Sequence, residues 1–156
     1  MNETRSKPTR ILAVASGGGH WVQLLRLRPA FEGARVTYVT VDRGYAQDLE
    51  PGSRLRIVND ATRWNKAGLA RMALRLLWII LRERPHVVIS TGAAPGYFAL
   101  RLARLVGART IWVDSMANVE ELSMSGQKIG RHADLWLTQW AHLARPDGPH
   151  HAGSVL

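Results

Sequence analysis

The sequence predicts an α/β fold, a doubly wound, Rossmann-like parallel sheet with helices on both faces, and two patterns carry this prediction. Short runs rich in β-branched residues alternate with longer helical stretches, which is typical of parallel sheets. Two glycine-rich turns, at residues 16–20 and 90–96, each join a strand to a helix. We expect a single domain over residues 10–156, preceded by a polar segment at residues 1–9, because 156 residues match the usual domain size.

The individual elements follow from local patterns. Strands are predicted at residues 10–16, 35–40, 54–58, 86–90, 109–113 and 135–138, and helices at residues 21–31, 64–84 and 95–106. Pro85 stops the second helix, Pro95 suits the first turn of the third, and Gly107 suits the end of that helix. Residues 42–53 are expected to form a loop or short helix, and residues 146–154, rich in Pro, Gly and His, a partly mobile tail.

Composition limits the possible functions. Hydrophobic residues make up 46% of the chain and charged residues 21%, which excludes disorder as the dominant state. The chain has no cysteine, which excludes disulfides, a thiolate nucleophile and cysteine-based zinc sites. The net charge is +9, and 18 of the 21 basic residues are arginine. Such a domain is attracted to anionic lipid, nucleic acid or a phosphorylated substrate; alternatively, most arginines form a solvated surface.

The apolar runs are short. Residues 11–15 are fewer than the roughly 7–15 apolar residues of a signal peptide core. The longest apolar region, residues 67–81, contains Arg71 and Arg75 and is shorter than the roughly 20 residues of a spanning helix. We therefore expect a cytoplasmic chain with no transmembrane span.

The turn after the first strand, Ser16-Gly17-Gly18-Gly19-His20, has the composition of a phosphate-binding loop. Glycines allow a ligand to approach the backbone, and the helix N-terminus that follows offers free N–H groups to an anion. Neither a Walker loop nor the dinucleotide fingerprint is present, since Val22 stands where the third glycine would be. The alternative is a tight turn without a ligand. His20 is expected to be neutral and to serve as a general base or hydrogen-bond donor, or to be structural.

Further polar residues follow later strands. Thr91 and Gly92 follow the strand at 86–90, and Asp114 and Ser115 follow the strand at 109–113. Because the carboxyl ends of parallel strands share one edge, these loops are predicted to converge on one crevice. Asp114 is interpreted as a general base, a hydroxyl ligand or a helix cap. A polar turn is expected to reach the same edge, and it contains Ser123, Ser125 and Gly126.

The helix at 64–84 carries a basic stripe. At 100° per residue, Arg71, Arg75, Trp78 and Arg82 fall within about 60° of one another. Much of the remaining surface of this helix is apolar. The stripe is interpreted as an interfacial face that contacts lipid phosphates, with Trp78 at headgroup depth. The alternative is a buried helix with one solvated face.

Five motifs follow one another along the chain: the glycine turn at 16–20, Thr91-Gly92, Val113-Asp114-Ser115, Leu122-Ser123-x-Ser125-Gly126 and Gln139-Trp140. In this order they resemble the asparagine-linked glycosylation protein fourteen family. The resemblance runs from about residue 10 to residue 156 and is closest to bacterial exopolysaccharide members.

This resemblance implies half of an enzyme. The chain would be like the N-terminal, acceptor-side domain of a GT-B glycosyltransferase, inactive without a partner. A separate subunit, similar to the family's protein thirteen, would bind the UDP-sugar, which carries GlcNAc or another hexose or uronic acid. The pair would transfer that sugar to a polyprenyl-diphosphate-linked saccharide at the cytoplasmic face of the membrane. No metal or other cofactor is implied.

The resemblance also implies roles for particular residues. His20 would be the base or a diphosphate contact, with Asp114 as its competitor, although the family usually has Glu-Ser where Asp114 and Ser115 stand. Acceptor contacts would come from the loops and polar turn, namely Ser16, Gly17, Gly18, Gly19, Thr91, Gly92, Ser115, Ser123, Ser125 and Gly126. Gln139 and Trp140 would lie near the partner, and the basic stripe could replace the membrane anchor of eukaryotic members. The alternatives are a non-catalytic membrane scaffold and a free-standing nucleotide-binding module. Nucleic acid is not an expected partner, because the net charge is the single observation in its favour and any basic protein binds nucleic acid.

Overall fold

The computed structural model describes residues 6–155, so the predictions made for residues 1–5 and for residue 156 lie outside the described residues. Within this range a seven-stranded, all-parallel sheet has the order β3-β2-β1-β4-β5-β6-β7. The strands are β1 Arg10–Val14, β2 Arg35–Thr40, β3 Arg54–Ile57, β4 Val87–Ser90, β5 Arg109–Val113, β6 Leu135–Thr138 and β7 His150–His151. The predicted fold class is confirmed.

Helices cover both faces of the sheet. They are α1 Gly19–Arg26, α2 Lys66–Glu83, α3 Ala93–Leu105 and α4 Met124–Ile129, with 3₁₀ turns at Arg28–Phe31, Arg43–Asp48, Gly130–His132 and Ala141–Leu143. One core lies between the sheet and α2, α3 and α4, and the other lies beneath α1. Leu12 and Val14 enter the first core and Ala13 the second, as the two-residue period of a strand requires.

The strand order reverses at the centre of the sheet. β1 pairs with β2 on one side and with β4 on the other, so consecutive connections leave in opposite directions. This creates a topological switch point between the carboxyl ends of β1 and β4, where open α/β sheets bind their ligands. The glycine turn that follows β1 and the Thr91-Gly92 turn that follows β4 both begin there.

The first helix is shorter than predicted. A helix over 21–31 was expected, but α1 ends at Arg26 and a separate 3₁₀ turn follows. Pro29 has no N–H with which to continue the helical ladder. The carbonyl of Leu25, four residues before it, instead accepts a hydrogen bond of 3.1 Å from Nε of Arg28.

Other boundaries shift for local reasons. β1 ends at Val14 rather than at residue 16, and α3 begins at Ala93 rather than at Pro95. The second helix begins at Lys66, because the side chain of Asn65 caps it by accepting from the N–H of Gly68 at 2.9 Å.

Two short elements were not predicted. α4 has six residues, and β7 has two that pair with the end of β6. The tail at 146–154, expected to be partly mobile, therefore contributes a strand to the sheet. A tight turn precedes this strand, in which the N–H of Arg145 donates to the carbonyl of Pro149 at 2.9 Å.

No helix within residues 6–155 combines the length and the apolar character needed to cross a bilayer.

A charged cluster joins α2 to the sheet. Glu83, near the end of α2, accepts from Arg56 at 2.7 Å, from Arg54 at 3.2 Å and from the Thr37 hydroxyl at 3.3 Å. Burial alone would raise the pKa of Glu83, but the hydrogen bond from Arg56 and the charges of Arg56 and Arg54 outweigh burial and lower this pKa.

This lowered pKa predicts an acid-sensitive contribution to stability. Unfolded Glu83 takes up a proton at a higher pH than folded Glu83, so its stabilisation is complete above its unfolded pKa, about 4.3, and is lost as the pH falls through the lower folded pKa. Urea unfolding should show that Glu83→Gln costs about 1–2 kcal/mol at pH 7 and progressively less in acid. Glu32→Gln is the matched control, because Glu32 is exposed. An equal loss at all pH values would contradict this assignment.

Candidate functional site

The loops that follow β1 and β4 are joined by two reciprocal hydrogen bonds. The hydroxyl of Thr91 donates to the carbonyl of His20 at 2.6 Å, and Nδ1 of His20 lies 3.1 Å from the carbonyl of Thr91. The sequence predicted that these loops meet at one edge, and the structure confirms that they do.

The hydrogen bond of His20 determines which ring nitrogen carries the proton. A carbonyl oxygen can only accept, so Nδ1 must be the protonated nitrogen in this contact. In the neutral ring Nε2 then keeps an unprotonated lone pair. His20 is half-buried and lies where the loops after β1 and β4 meet. This tautomer can accept a proton from a substrate hydroxyl.

Gly92 allows the imidazole ring to lie against the backbone. A Cβ atom at position 92 would be 2.6 Å from Cε1 of His20, and the φ angle of Gly92 is 141°, which side chains rarely adopt. The next residue, Ala93, has a φ angle of 66° despite its side chain. Left-handed backbone at a non-glycine residue stores strain of about 1–3 kcal/mol, and such residues concentrate at functional sites.

Tyr45 holds the first glycine turn in place, a role that no sequence pattern predicts. Its hydroxyl accepts from the N–H of Gly18 at 2.8 Å, and a Cβ at position 17 would lie 2.7 Å from the same oxygen. The Tyr45 ring packs on Trp21 of α1, with ring centroids 5.1 Å apart. A glycine at position 17 is therefore required by the close approach of the tyrosine.

The start of α1 is suited to an anion. Gly18 caps the helix with a φ angle of 62°, and Gly18 and Gly19 are exposed. The N–H groups of the first turn have no partners within the helix, and this turn contains no acidic side chain. These groups and the positive end of the helix favour a phosphate or diphosphate in this position. Ser16 lies half-buried at the base of the turn, and its carbonyl accepts from the Thr40 hydroxyl.

Asp114 lies beneath this crevice, where it orders the loop that follows β5. The residue is 1% exposed, and its carboxylate accepts from Trp112 Nε1, Asn118 Nδ2 and both the N–H and the hydroxyl of Ser123, at 2.5–3.2 Å. A base must reach the substrate proton, and both oxygens of Asp114 already hold protein donors. Its environment therefore corrects the general-base interpretation and favours a positioning role.

The polar turn at 123–126 is also used internally. The Ser123 hydroxyl accepts from the N–H of Gly126 at 2.9 Å and so caps α4, the role considered for Asp114. A Cβ at position 126 would collide with the carboxylate of Asp114, so this glycine is required by packing. Ser123 and Gly126 thus order the loop around Asp114, and their assignment as acceptor contacts stays a prediction. Ser125 is half-buried.

A pair of buried glutamines connects the loops of the site, and one of them was missed from the sequence. Nε2 of Gln23 donates to the Ser115 hydroxyl at 3.0 Å, and its Oε1 accepts from the N–H of Met116 at 3.0 Å and from Gln139 at 2.6 Å. Nε2 of Gln139 also donates to the carbonyl of Asp114 at 3.0 Å. Gln23 is an isolated polar residue on an apolar helix face. In the sequence nothing distinguishes it from a glutamine on the protein surface.

The two residues expected to face a partner differ in their environments. Gln139 is 5% exposed and its Oε1 accepts from the N–H of Val155, so it lies inside the domain and the partner-facing assignment is wrong for its side chain. Trp140 is half-buried, and its indole N–H donates to the carbonyl of Met116 at 2.8 Å. Its assignment as a partner-facing residue stays a prediction.

The predicted stripe on α2 is exposed as a unit. Arg71, Arg75 and Arg82 are exposed, and Trp78 is 46% exposed with the Arg75 guanidinium 4.7 Å from its ring centroid. Leu74 adds an apolar side chain that is 69% exposed. The opposite face of α2 is buried in the core, as the alternative of a buried helix with one solvated face describes, and the interfacial interpretation of the stripe stays a prediction.

Within residues 6–155, no group of three or more His, Asp or Glu side chains is arranged to hold a metal ion.

The parallel sheet, with glycine turns at its switch point, defines the class: a Rossmann-like domain of the kind that forms one half of GT-B glycosyltransferases. The chain belongs to the family described as oligosaccharide biosynthesis protein Alg14 like, whose model matches residues 42–153. This confirms the resemblance noted in the sequence.

Two relatives illustrate the match. The chain is 26% identical to the UDP-N-acetylglucosamine transferase subunit ALG14 of Eremothecium gossypii, over 90% of this chain and 77% of that protein. It is also 26% identical to the protein of the same name from Mus musculus, over 90% of this chain and 79% of that one.

Solved structures share the fold. Acinetobacter baumannii MurG superposes with a TM-score of 0.76 and 13% identity, over 96% of this chain and 46% of that one. A putative UDP-N-acetylglucosamine 2-epimerase from Listeria monocytogenes gives a TM-score of 0.66 and 14% identity, over 86% and 40%. The chain thus spans less than half the length of each of these structures.

Replacing Gln23 should lower the free energy of unfolding by more than the loss of one side chain's packing would. Gln23→Ala leaves the buried Ser115 hydroxyl, Met116 N–H and Gln139 amide short of partners, and each unsatisfied buried group costs about 1–3 kcal/mol. We expect a loss of about 2–4 kcal/mol in urea unfolding. Gln47→Ala is the control, because Gln47 is exposed. Equal stability of the two variants would show that the buried glutamine pair is dispensable.

Proposed function

We propose that this chain is the acceptor-side subunit of a two-chain glycosyltransferase. The subunit binds a polyprenyl-diphosphate-linked saccharide, and a second chain, similar to the asparagine-linked glycosylation protein thirteen, binds the UDP-sugar. The observation that carries the proposal is the position of His20, which belongs to the first turn of α1 and whose Nδ1 lies 3.1 Å from the carbonyl of Thr91. A proton acceptor beside an anion-binding helix start is what the proposed transfer requires.

The division of labour between two chains has independent support. The fold corresponds to less than half of MurG, whereas the family's relatives are named as subunits of a UDP-N-acetylglucosamine transferase. A domain of this size has one crevice at its switch point, and we assign that crevice to the acceptor. The donor site then belongs to the partner, which docks over the carboxyl edge of the sheet near Trp140.

The mechanism follows from the geometry of the crevice. The first-turn N–H groups of α1 and the loop at 17–19 hold the acceptor diphosphate. Nε2 of His20 takes the proton of the acceptor hydroxyl as its oxygen forms a bond to the anomeric carbon. The bond from that carbon to the UDP oxygen breaks, and UDP leaves with the electron pair, so the reaction inverts the anomeric configuration. Thr91 positions the imidazole through Nδ1, so that Nε2 is the nitrogen left for the acceptor hydroxyl.

We assign the exposed stripe on α2 to the membrane surface at its cytoplasmic face. Its arginines would contact anionic headgroups, while Trp78 and Leu74 would enter the interface. The stripe borders a groove of about 910 Å³ between α2 and the edge strand β3, and Arg43 and Arg56 also line it. The polyprenyl chain of the acceptor lies in the bilayer, so the crevice must lie close to the membrane surface. The stripe on α2 would hold the protein there.

The first test is sugar transfer from labelled UDP-GlcNAc to a polyprenyl-diphosphate acceptor. Activity is expected only when this chain is co-expressed with the donor-binding subunit. His20→Ala should reduce kcat by about 10²–10⁴ without unfolding the chain, since general-base catalysis contributes that much. His150→Ala is the matched control, because His150 is exposed on β7.

Each outcome is informative. Full activity of His20→Ala would remove the histidine from the mechanism. Activity of this chain alone would place a donor site within it. Transfer that survives changes at both His20 and the 17–19 loop would favour a non-catalytic scaffold that recruits the transferase to the membrane.

Flotation with vesicles tests the membrane surface. The double variant Arg75→Ala/Trp78→Ala should weaken binding to vesicles rich in phosphatidylglycerol by about tenfold or more, since each arginine near an anionic surface contributes about 1 kcal/mol. Arg101→Ala/Leu105→Ala removes the same charge and a similar apolar area from α3, where both side chains are exposed. If both double variants bind equally well, membrane attachment lies elsewhere.

A further inference from the structure

Arginine stands at the first position of four strands. β1, β2, β3 and β5 begin with Arg10, Arg35, Arg54 and Arg109. Because all the strands are parallel, their first residues gather at the amino edge of the sheet, opposite the crevice. The register places Arg10 directly beside Arg35. A row of cations therefore follows an edge that the sugar-transfer proposal does not use.

Four arginines of this region line one small cavity. It has a volume of about 250 Å³ and lies where the last turn of α2 meets the starts of β1, β2 and β3. Its polar lining consists of Arg10, Arg35, Arg54, Arg82, Thr37 and Glu83. Nε of Arg10 donates to the carbonyl of Arg84 at 2.7 Å, which anchors one of these guanidinium groups at the cavity.

Within residues 6–155, the lining of the cavity has four arginines and one carboxylate. Glu83 is the single carboxylate in the lining, and it already accepts from Arg54 and from Arg56 outside the cavity. Within residues 6–155 the ion pairs are those of Glu83, so Arg10, Arg35 and Arg82 have no carboxylate within 4.0 Å there. Guanidinium groups that share a small cavity repel one another unless an anion lies between them.

The size and donor set select a class of ligand. Pockets for organic ligands usually measure about 300–1,000 Å³, so this cavity suits a small group rather than a whole nucleotide. Guanidinium groups donate in a planar fork that matches the oxygens of a phosphate. We propose that this cavity is a second anion site of the protein and that it binds a phosphate or diphosphate group.

This site is separate from the crevice. The six steps between consecutive residues from Arg10 to Ser16 correspond to about 20 Å of extended chain. One phosphate compound of ordinary size does not bridge the two sites, so the proposal does not rest on the sugar-transfer function. An anion in the cavity would tie α2 to three strands and offset the repulsion between their arginines.

The phosphate could come from two sources. It could be a free phosphate or diphosphate, or the headgroup of an anionic lipid, since Arg82 belongs both to this cavity and to the stripe on α2. The chemistry of recognition is the same in both cases, so the experiment has one arm for each source.

The first arm is calorimetric titration of the full chain with inorganic phosphate and with pyrophosphate, at constant ionic strength in chloride. We expect saturable binding that Arg35→Gln and Arg82→Gln weaken by about tenfold or more, because each removes charged hydrogen bonds. Arg101→Gln is the matched control. The glycine turn offers pyrophosphate another site, so Arg35→Gln should weaken one binding event and His20→Ala should leave that event intact.

The second arm uses vesicles of phosphatidylglycerol and of phosphatidylcholine. Binding to phosphatidylglycerol alone that Arg35→Gln weakens more than Arg101→Gln does would identify the lipid headgroup as the source, even if free phosphate does not bind. The proposal is overturned if Arg35→Gln and Arg101→Gln behave alike in both arms, since any response would then reflect net charge. Melting temperatures in chloride show whether Arg35→Gln is folded, and Arg82→Gln provides the independent second variant.

Discussion

The structure depends on the burial of β1 between two neighbouring strands. Leu12, Ala13 and Val14 are 0% exposed, and the strand pairs on both sides with parallel neighbours. A strand covered on both faces and both edges has no place for a polar side chain in its interior, so the polar residues of this segment lie at its first position or beyond its ends. The glycine turn follows its carboxyl end and an arginine begins its amino end. The carboxyl edge of the sheet therefore carries glycines and the amino edge carries arginine, because the buried interior of β1 excludes both kinds of residue.

Above the carboxyl edge, a layer of buried polar groups replaces the apolar core. Gln23, Gln139 and Asp114 are each less than 9% exposed, and each is hydrogen bonded to backbone or side-chain partners from other segments. Such a layer is stabilising only when its members are satisfied, and it then fixes loops that would otherwise be free. The residues at the surface of the crevice, His20 and the first turn of α1, thus rest on a rigid polar base.

The sequence was sufficient for the central features of the fold. Apolar, β-branched runs marked β2, β5 and β6 with their observed bounds, and the placement of glycines and threonine at strand ends located the crevice. These predictions succeeded because they rest on local periodicity and on a general property of parallel sheets.

The missed features share another physical cause. Tyr45 meets the glycine turn and Gln23 meets Gln139 only after distant segments come together, and no local pattern marks such pairs. Asp114 carried the residue type of a base, but its role depends on how many donors surround it, which only packing decides. α4 and β7 are too short for periodicity to reveal them.

The left-handed backbone at Ala93 limits which residues the start of α3 can accept. The His20 ring lies against Gly92, where a Cβ atom would be 2.6 Å from Cε1 of the ring, and Ala93 has a φ angle of 66°. The reciprocal hydrogen bonds between His20 and Thr91 hold the starts of α1 and α3 together at this contact. A larger residue at position 92 would force the two helix starts apart, and a β-branched residue at position 93 would add strain to a backbone conformation that already disfavours a side chain.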